Sequence, residues 1–238
     1  MTELLYLSSL DACYQKEMEA SVVRAGEGGV VLDRTIFYPT GGGQPTDKGW
    51  LKWDGGEATV TEVVKRGREV VHRVVGDLPR RGETVSGILD WERRYAHMRM
   101  HTAQHLVSAL AFDIFGARTV GNQIRAERSH IDFYPAHFGE EELKRIEEEA
   151  NVRIEEGRPL KIYTLPREEV DRIFSDGRVD VSRLPESVRE VRIVEIEGVD
   201  VCPCGGTHVK NLKELRGIEV LSRKSKGREK VRIYYRLK

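Results

Sequence analysis

Two hydrophobic rhythms divide the chain. Over roughly the first 88 residues, Val, Thr and Ile alternate with polar residues in short runs broken by glycine, the period of half-buried strands. Glu17–Ala25 and Gly29–Tyr38 read as strands joined by the turn Gly26-Glu-Gly-Gly29. Ala58–Val64 and Glu69–Val75 read as a hairpin around Arg66-Gly67, and Trp50–Trp53 as a short strand before Asp54-Gly55-Gly56. Frequent short strands with glycine-rich turns predict a small barrel or sandwich. From Trp91 to Phe115 the spacing becomes helical, with Asp90 placed to cap the start and Gly116 to end it. Tyr95, Met98, Thr102, His105 and Ala109 fall near one stripe of that helix, with His101 at its edge. Ile124–Tyr134 is then expected as a strand, Gly139–Gly157 as a second helix and Leu160–Leu165 as a strand. Arg167–Ser175 reads as a short helix, Val188–Glu197 as a half-exposed strand, and Gly217–Ser222 with Val231–Leu237 as a hairpin around Lys226-Gly227. The rhythm changes near Gly87, so the expectation is an α+β protein with a β-rich domain over 1–88 and an α/β domain over 89–238.

Composition narrows the setting. Lys+Arg and Asp+Glu balance at 39 each, which argues against indiscriminate coating of nucleic acid but leaves room for a local basic patch. Three cysteines are too few for a disulfide framework. No segment approaches the roughly 18 apolar residues of a membrane span, and Met1-Thr-Glu-Leu-Leu lacks the features of a secretory signal, so a cytoplasmic location is expected. A charged fraction of 33%, with few Asn, Gln, Cys and Met, leans towards a thermophile.

Candidate chemistry lies in two distant stretches, His101-Thr-Ala-Gln-His105 and Cys204-Gly-Gly-Thr-His208. Histidines four apart on a helix share a face, with Cβ atoms roughly 5–6 Å apart. The Gly205-Gly206 turn lets a thiolate and an imidazole converge on one point. His101, His105, Cys204 and His208 thus offer a borderline-soft set of four donors for which Zn²⁺ is the usual occupant. Whether such a site is structural or catalytic does not follow from the spacing, and Cys202 competes with Cys204 for the thiolate position. The general-base glutamate of zinc proteases is absent, its place falling within Thr102-Ala-Gln104. His72, His97, His130 and His137 have ordinary structural explanations.

Two further stretches carry polar chemistry. In Phe37-Tyr-Pro-Thr-Gly-Gly-Gly-Gln-Pro-Thr-Asp-Lys-Gly49, the glycines Gly41, Gly42 and Gly43 can expose backbone N–H groups to a ligand, with Gln44 and Asp47 as polar contacts. The segment lacks the Gly-Lys-Ser/Thr ending of a P-loop. Near the C-terminus Lys224, Lys226, Arg228, Lys230 and Arg232 recur at every second position, which fits either a solvated charged surface or a phosphate-binding face.

Together these motifs resemble the free-standing alanyl-tRNA editing proteins (AlaX), in their longer form with an N-terminal glycine-rich motif. The resemblance rests on the glycine stretch, His101-Thr-Ala-Gln-His-Leu106, Ile131-Asp-Phe133 and Pro203-Cys-Gly-Gly-Thr-His-Val209. It implies an N-terminal β-barrel followed by a two-layer α/β editing domain of the threonyl/alanyl-tRNA synthetase type. It further implies zinc-dependent hydrolysis of the ester in Ser-tRNA(Ala), with Gly-tRNA(Ala) as a second candidate substrate and Thr119 at the family's hydroxyl-sensing position. A pocket built for alanine cannot strongly reject serine, which explains the need for a second, hydrolytic site. Zinc could activate water, polarise the carbonyl or hold the substrate amino group, and no general base is assigned. A non-catalytic zinc-stabilised RNA-binding module and a zinc hydrolase of small esters are the rival readings. The chain is too short for a full synthetase.

Overall fold

The computed structural model describes residues 1–175, 177–185 and 187–238, with residue 183 described by its backbone alone. By internal contacts the chain divides into two compact units, Met1–Met98 and Arg99–Lys238.

In the first unit six strands close into an antiparallel barrel. They are β1 (Glu17–Gly26), β2 (Gly29–Leu32), β3 (Gly49–Trp53), β4 (Gly56–Arg66), β5 (Glu69–Gly76) and β6 (Thr84–Leu89), in the order β1-β2-β5-β4-β3-β6. Strand β6 closes the ring by pairing with both β1 and β3. Its alternating burial points Val85, Gly87 and Leu89 inward. Gly87 is required where it stands: a Cβ there would meet Met18 at 2.7 Å and Phe37 at 3.0 Å. The inward residues Val22, Leu32, Leu51, Val60, Val63 and Val85 form the barrel core. The expected strand Gly29–Tyr38 is shorter than its hydrophobicity suggested. It stops at Leu32, and Ile36 and Phe37 are buried from an irregular segment instead.

Helix α1 (Trp91–Phe115) follows, as its period predicts, with Asp90 Oδ1 accepting from the Arg93 N–H at 3.1 Å. In the second unit the strand expected over Ile124–Tyr134 starts only at Ser129, and a strand that the sequence reading did not assign precedes it. β7 (Arg118–Gln123) and β8 (Ser129–Tyr134) are joined through the polar run Arg125-Ala-Glu-Arg128, which Ser129 closes by bonding both the N–H and the carbonyl of Arg125. Helix α2 (Glu140–Glu156) buries Ile146, Ala150 and Ile154 and ends at Gly157 with φ +70°. Then come β9 (Leu160–Pro166), helix α3 (Arg167–Ile173), β10 (Glu190–Ile196), β11 (Asp200–Pro203), β12 (Ile218–Ser225) and β13 (Val231–Leu237). They build a four-stranded sheet, β12-β13-β8-β7, and a three-stranded sheet, β9-β10-β11. Asn151 ties α2 to β12 by bonding both the N–H and the carbonyl of Ile218 at 2.9 Å. Tyr235 donates its hydroxyl to the Met100 carbonyl at 3.1 Å, which fixes α1 against the inner face of the larger sheet. Arg99 donates to the carbonyls of Glu214 and Leu215. The α+β class, the barrel and the two-layer second unit match the sequence expectation.

Candidate metal centre

Both halves of the donor set lie in the second unit. His101 and His105 sit one turn apart on α1, their ring centroids 5.3 Å from each other. Cys204 and His208 follow the end of β11, and the Cys204 N–H donates to the Arg192 carbonyl on β10. The turn between them folds back on itself: the Gly206 N–H points at Cys204 Sγ, 3.3 Å away. One potential donor atom from each of the four residues falls within 4.8 Å of all the others. Cys204 Sγ stands 3.6 Å from His101 Nε2 and 3.3 Å from His208 Nε2. The three imidazoles are buried, and Cys204 is largely but not fully buried.

Two neighbours orient the rings. His105 Nδ1 lies 2.9 Å from Asp200 Oδ2, so an Nδ1–H donates to the carboxylate and Nε2 is the ring nitrogen left to face the other donors. His208 Nδ1 lies 3.1 Å from Thr102 Oγ1, which also accepts the Val209 N–H at 3.3 Å. His208 Nε2 is thereby freed towards Cys204. Sequence reading missed both Asp200 and Thr102. Asp200 is reached because Asp200 and Cys202 alternate onto one face of β11, a signal visible only once that strand is recognised.

Electrostatics support a thiolate. Burial alone would raise the Cys204 pKa, but His101, His208 and His105 outweigh it and hold it well below the usual thiol range. Burial likewise opposes charge on His105, yet Cys204 and Asp200 hold its pKa up at about 10. His208 is pushed down to about 3 by burial and by His101. Cys202 lies near Asp200 and His105 but outside the four-donor set, and burial drives its pKa well above the usual value. It remains a neutral thiol. A soft thiolate with three imidazoles, two of them hydrogen-bonded at Nδ1 so that Nε2 is left for an ion, fits a divalent borderline-soft ion.

The other expected site residues are dispersed. Thr119, on β7, donates its hydroxyl to Ser108 Oγ at 2.7 Å, and Gln104 Nε2 donates to the same oxygen at 2.8 Å. The glycine stretch belongs to the first unit. Gly41 and Gln44 exchange backbone hydrogen bonds across Gly42 (φ +56°) and Gly43 (φ +83°), which are exposed at the tip. Gln44 and Asp47, in contrast, are fully buried. Asp47 Oδ2 accepts from the Tyr38 N–H at 2.7 Å and from Arg94, whose guanidinium also donates to the carbonyls of Cys13 and Ile36. On the terminal hairpin Lys224, Lys226 and Arg228 are exposed, while Arg232 makes a two-pronged ion pair with Asp132 at 2.7 and 3.0 Å and Lys230 lies 3.9 Å from the same carboxylate. Among the described residues no helix is long and apolar enough to cross a membrane.

Comparison with known proteins places this geometry in context. Residues 7–93 match the family of class II (A) tRNA synthetases, and residues 191–234 match the second additional domain of threonyl and alanyl tRNA synthetases. The chain is 42% identical to the alanyl-tRNA editing protein AlaX-M of Saccharolobus solfataricus and 40% identical to that of Methanosarcina barkeri, covering all of this chain and 100% and 99% of those proteins. It is 36% identical to the alanyl-tRNA editing protein AlaX-L of Pyrococcus horikoshii over 93% of this chain and 55% of that longer protein.

Proposed function

The chain belongs to the alanyl-tRNA editing proteins of the AlaX-M type, and from that premise we propose that it hydrolyses the ester bond of Ser-tRNA(Ala) with zinc held by His101, His105, Cys204 and His208. The observation that carries the zinc reading is the spacing of the donors. Bonds of about 2.05 Å to nitrogen and 2.3 Å to sulfur in a tetrahedron separate N from S by about 3.5 Å. The Sγ–Nε2 separations from Cys204 to His208 and His101, 3.3 and 3.6 Å, bracket that value. Bound there, zinc supplies a Lewis acid able to lower the pKa of water to about 7 or to hold a substrate atom.

The chain's own residues supply the rest. Asp200 and Thr102 hold the rings of His105 and His208, and Cys204, the least buried of the four donors, marks the side from which substrate arrives. Thr119 is proposed to read the serine side chain. Its hydroxyl proton is committed to Ser108, which leaves its oxygen as an acceptor for the serine O–H. Alanine would leave that acceptor unpaired, a penalty of about 1–3 kcal/mol. In the glycine stretch, Gly41, Gly42 and Gly43 keep the ligand-facing role, while Gln44 and Asp47 hold the loop from inside. Residues 1–88 then form the barrel domain and 89–238 the editing domain. Lys224, Lys226, Arg228, Lys230 and Arg232 belong to the tRNA-binding surface.

A deacylation assay tests this reading. The protein is expected to deacylate Ser-tRNA(Ala), to spare Ala-tRNA(Ala), and to lose the activity on chelation or in His101→Ala. Undiminished deacylation by a verified metal-free sample would overturn the zinc mechanism. Binding of tRNA without turnover would favour a zinc-stabilised RNA-binding module.

A further inference from the structure

The larger sheet of the second unit has two unlike faces. Ile131, Phe133, Ile233 and Tyr235 point inward and are buried. The alternate residues, His130 and Asp132 on β8 and Arg232 and Tyr234 on β13, point outward, and the register sets His130 opposite Tyr234 and Asp132 opposite Arg232. Lys224 on β12 stands opposite Arg232, and Gly121 on β7 opposite Asp132. Tyr235, facing the other way, bonds Met100, the residue before His101. The outward face is therefore the one turned from the helix that bears the metal donors.

At the centre of this face is an aromatic and cationic stack. The Arg128 guanidinium lies 4.2 Å from the centroid of the Tyr234 ring, and His130 meets the same ring edge-on at 5.8 Å. Arg232 beside the Tyr234 hydroxyl, aided by Arg128 and Lys224, draws the phenol pKa down. After burial, Arg232, Arg125 and Lys226 push the His130 pKa down against the pull of Asp132. In both, the neighbouring cations act in the direction of a positive potential. Asp132 does not cancel it, because its carboxylate is already shared between Arg232 and Lys230.

We propose that this outward face is an RNA anchor separate from the metal centre, in which Arg128 and Tyr234 stack with an unpaired base and Lys224, Lys226 and Arg125 hold the adjacent phosphates. The proposal rests on the reading of the chain as a tRNA deacylase and assigns where on the protein part of the tRNA is held. Charge and shape favour RNA over a protein partner. The whole chain carries no net charge, so a cationic face is a local concentration rather than a general property. An open antiparallel sheet presenting an aromatic ring among cations offers both features single-stranded RNA requires, a π-face for a base and fixed charges for its backbone. Because the anchor lies across the sheet from the donor-bearing helix, it grips the substrate equally before and during reaction. It should lower KM and leave kcat untouched.

The test uses full-length protein with uncharged tRNA(Ala) for binding and Ser-tRNA(Ala) for turnover. Tyr234→Leu and Arg128→Ala are each expected to weaken tRNA binding about tenfold and to raise KM to match, with kcat and metal content unchanged. Arg128 sits in an exposed turn, so its variant reports even where Tyr234→Leu folds poorly. Lys224→Glu should reduce the slope of log affinity against log salt by about 1. Unaltered tRNA affinity and salt slope in these variants, beside normal deacylation by the wild type, would overturn the anchor and leave the deacylase reading intact. Wild-type protein that binds tRNA through this face and never deacylates it would do the reverse. A loss of kcat at constant KM would also refute the anchor.

Discussion

Asp200 offers a direct test of the site's construction. The carboxylate touches no expected metal position, yet it accepts the Nδ1–H of His105 at 2.9 Å from a side chain only 8% exposed. Two routes give the size of its effect. A hydrogen bond to a charged group is worth about 1.5–3 kcal/mol net. Outer-sphere partners of metal-binding histidines change metal affinity by about 10–100-fold, or about 1.4–2.7 kcal/mol. The routes agree on about 2 kcal/mol. Asp200→Ala is therefore expected to weaken the metal about 10–100-fold, and Asp200→Asn, which keeps a neutral acceptor, by less. Thr102→Val, which removes the acceptor beside His208, should cost about fivefold, in keeping with a neutral hydrogen bond. Competition against a chromophoric chelator measures all three. If both Asp200 variants bind metal as the wild type does, the carboxylate is not orienting His105 for an ion, and the assignment of the cluster as a metal site weakens with it.

Three further outcomes follow from the same geometry. Arg94→Met strands the buried Asp47 carboxylate and should cost about 3–5 kcal/mol in urea unfolding, far beyond an exposed ion pair. Buried His72 donates to Val30 and meets Thr35 at 2.8 Å, and burial lowers its pKa to about 4. The unfolded chain, with the ordinary value of 6.5, thus takes up the proton first. Stability from this residue is complete above pH 6.5 and falls as the pH drops towards 4, by about 2 kcal/mol between pH 7 and 5. Unfolding midpoints that hold constant over that range, or fall just as steeply in His72→Gln, would contradict it. Thr119→Val is expected to lower kcat/KM for Ser-tRNA(Ala) by at least about fivefold, the lower end of the penalty for an unmade hydrogen bond, with metal content unchanged.

The contrast between what was and was not legible has a physical pattern. The four candidate donors were readable because each pair is held by local geometry, a helical turn for His101 and His105 and a diglycine turn for Cys204 and His208. The long helix was readable because one period persists over 25 residues. Asp200 was not, since β11 is only four residues long and a strand that short has no period to detect. Asp47 shows the opposite failure. A polar residue beside three glycines looks like a ligand contact, and nothing local announces that its partner is Arg94, 47 residues on. The start of β8 was misplaced for a third reason: Ile124 is buried although it lies between strands, so its hydrophobicity extended the expected strand back from Ser129. Local pattern reveals elements and short-range pairs; polar partners brought together by topology stay silent.

Charge balance bears on which ion the cluster is built for. Among the groups in direct contact there, Cys204 favours the thiolate and Asp200 adds a carboxylate, while the three imidazoles are neutral when they serve as ligands. Two negative charges so placed are costly without a counter-charge. A divalent cation at the centre of the donors cancels both. A monovalent ion leaves one charge over, and the single thiolate among nitrogens is too little sulfur for a site specialised for the softest metals. The proton that holds His105 charged in the bare cluster occupies the same electrostatic role the ion would take. Asp200 consequently serves two states with one contact: it accepts from the imidazolium when a proton balances the thiolate, and from the neutral ring when a divalent ion does. That dual use explains why a carboxylate, rather than a backbone carbonyl, stands behind His105.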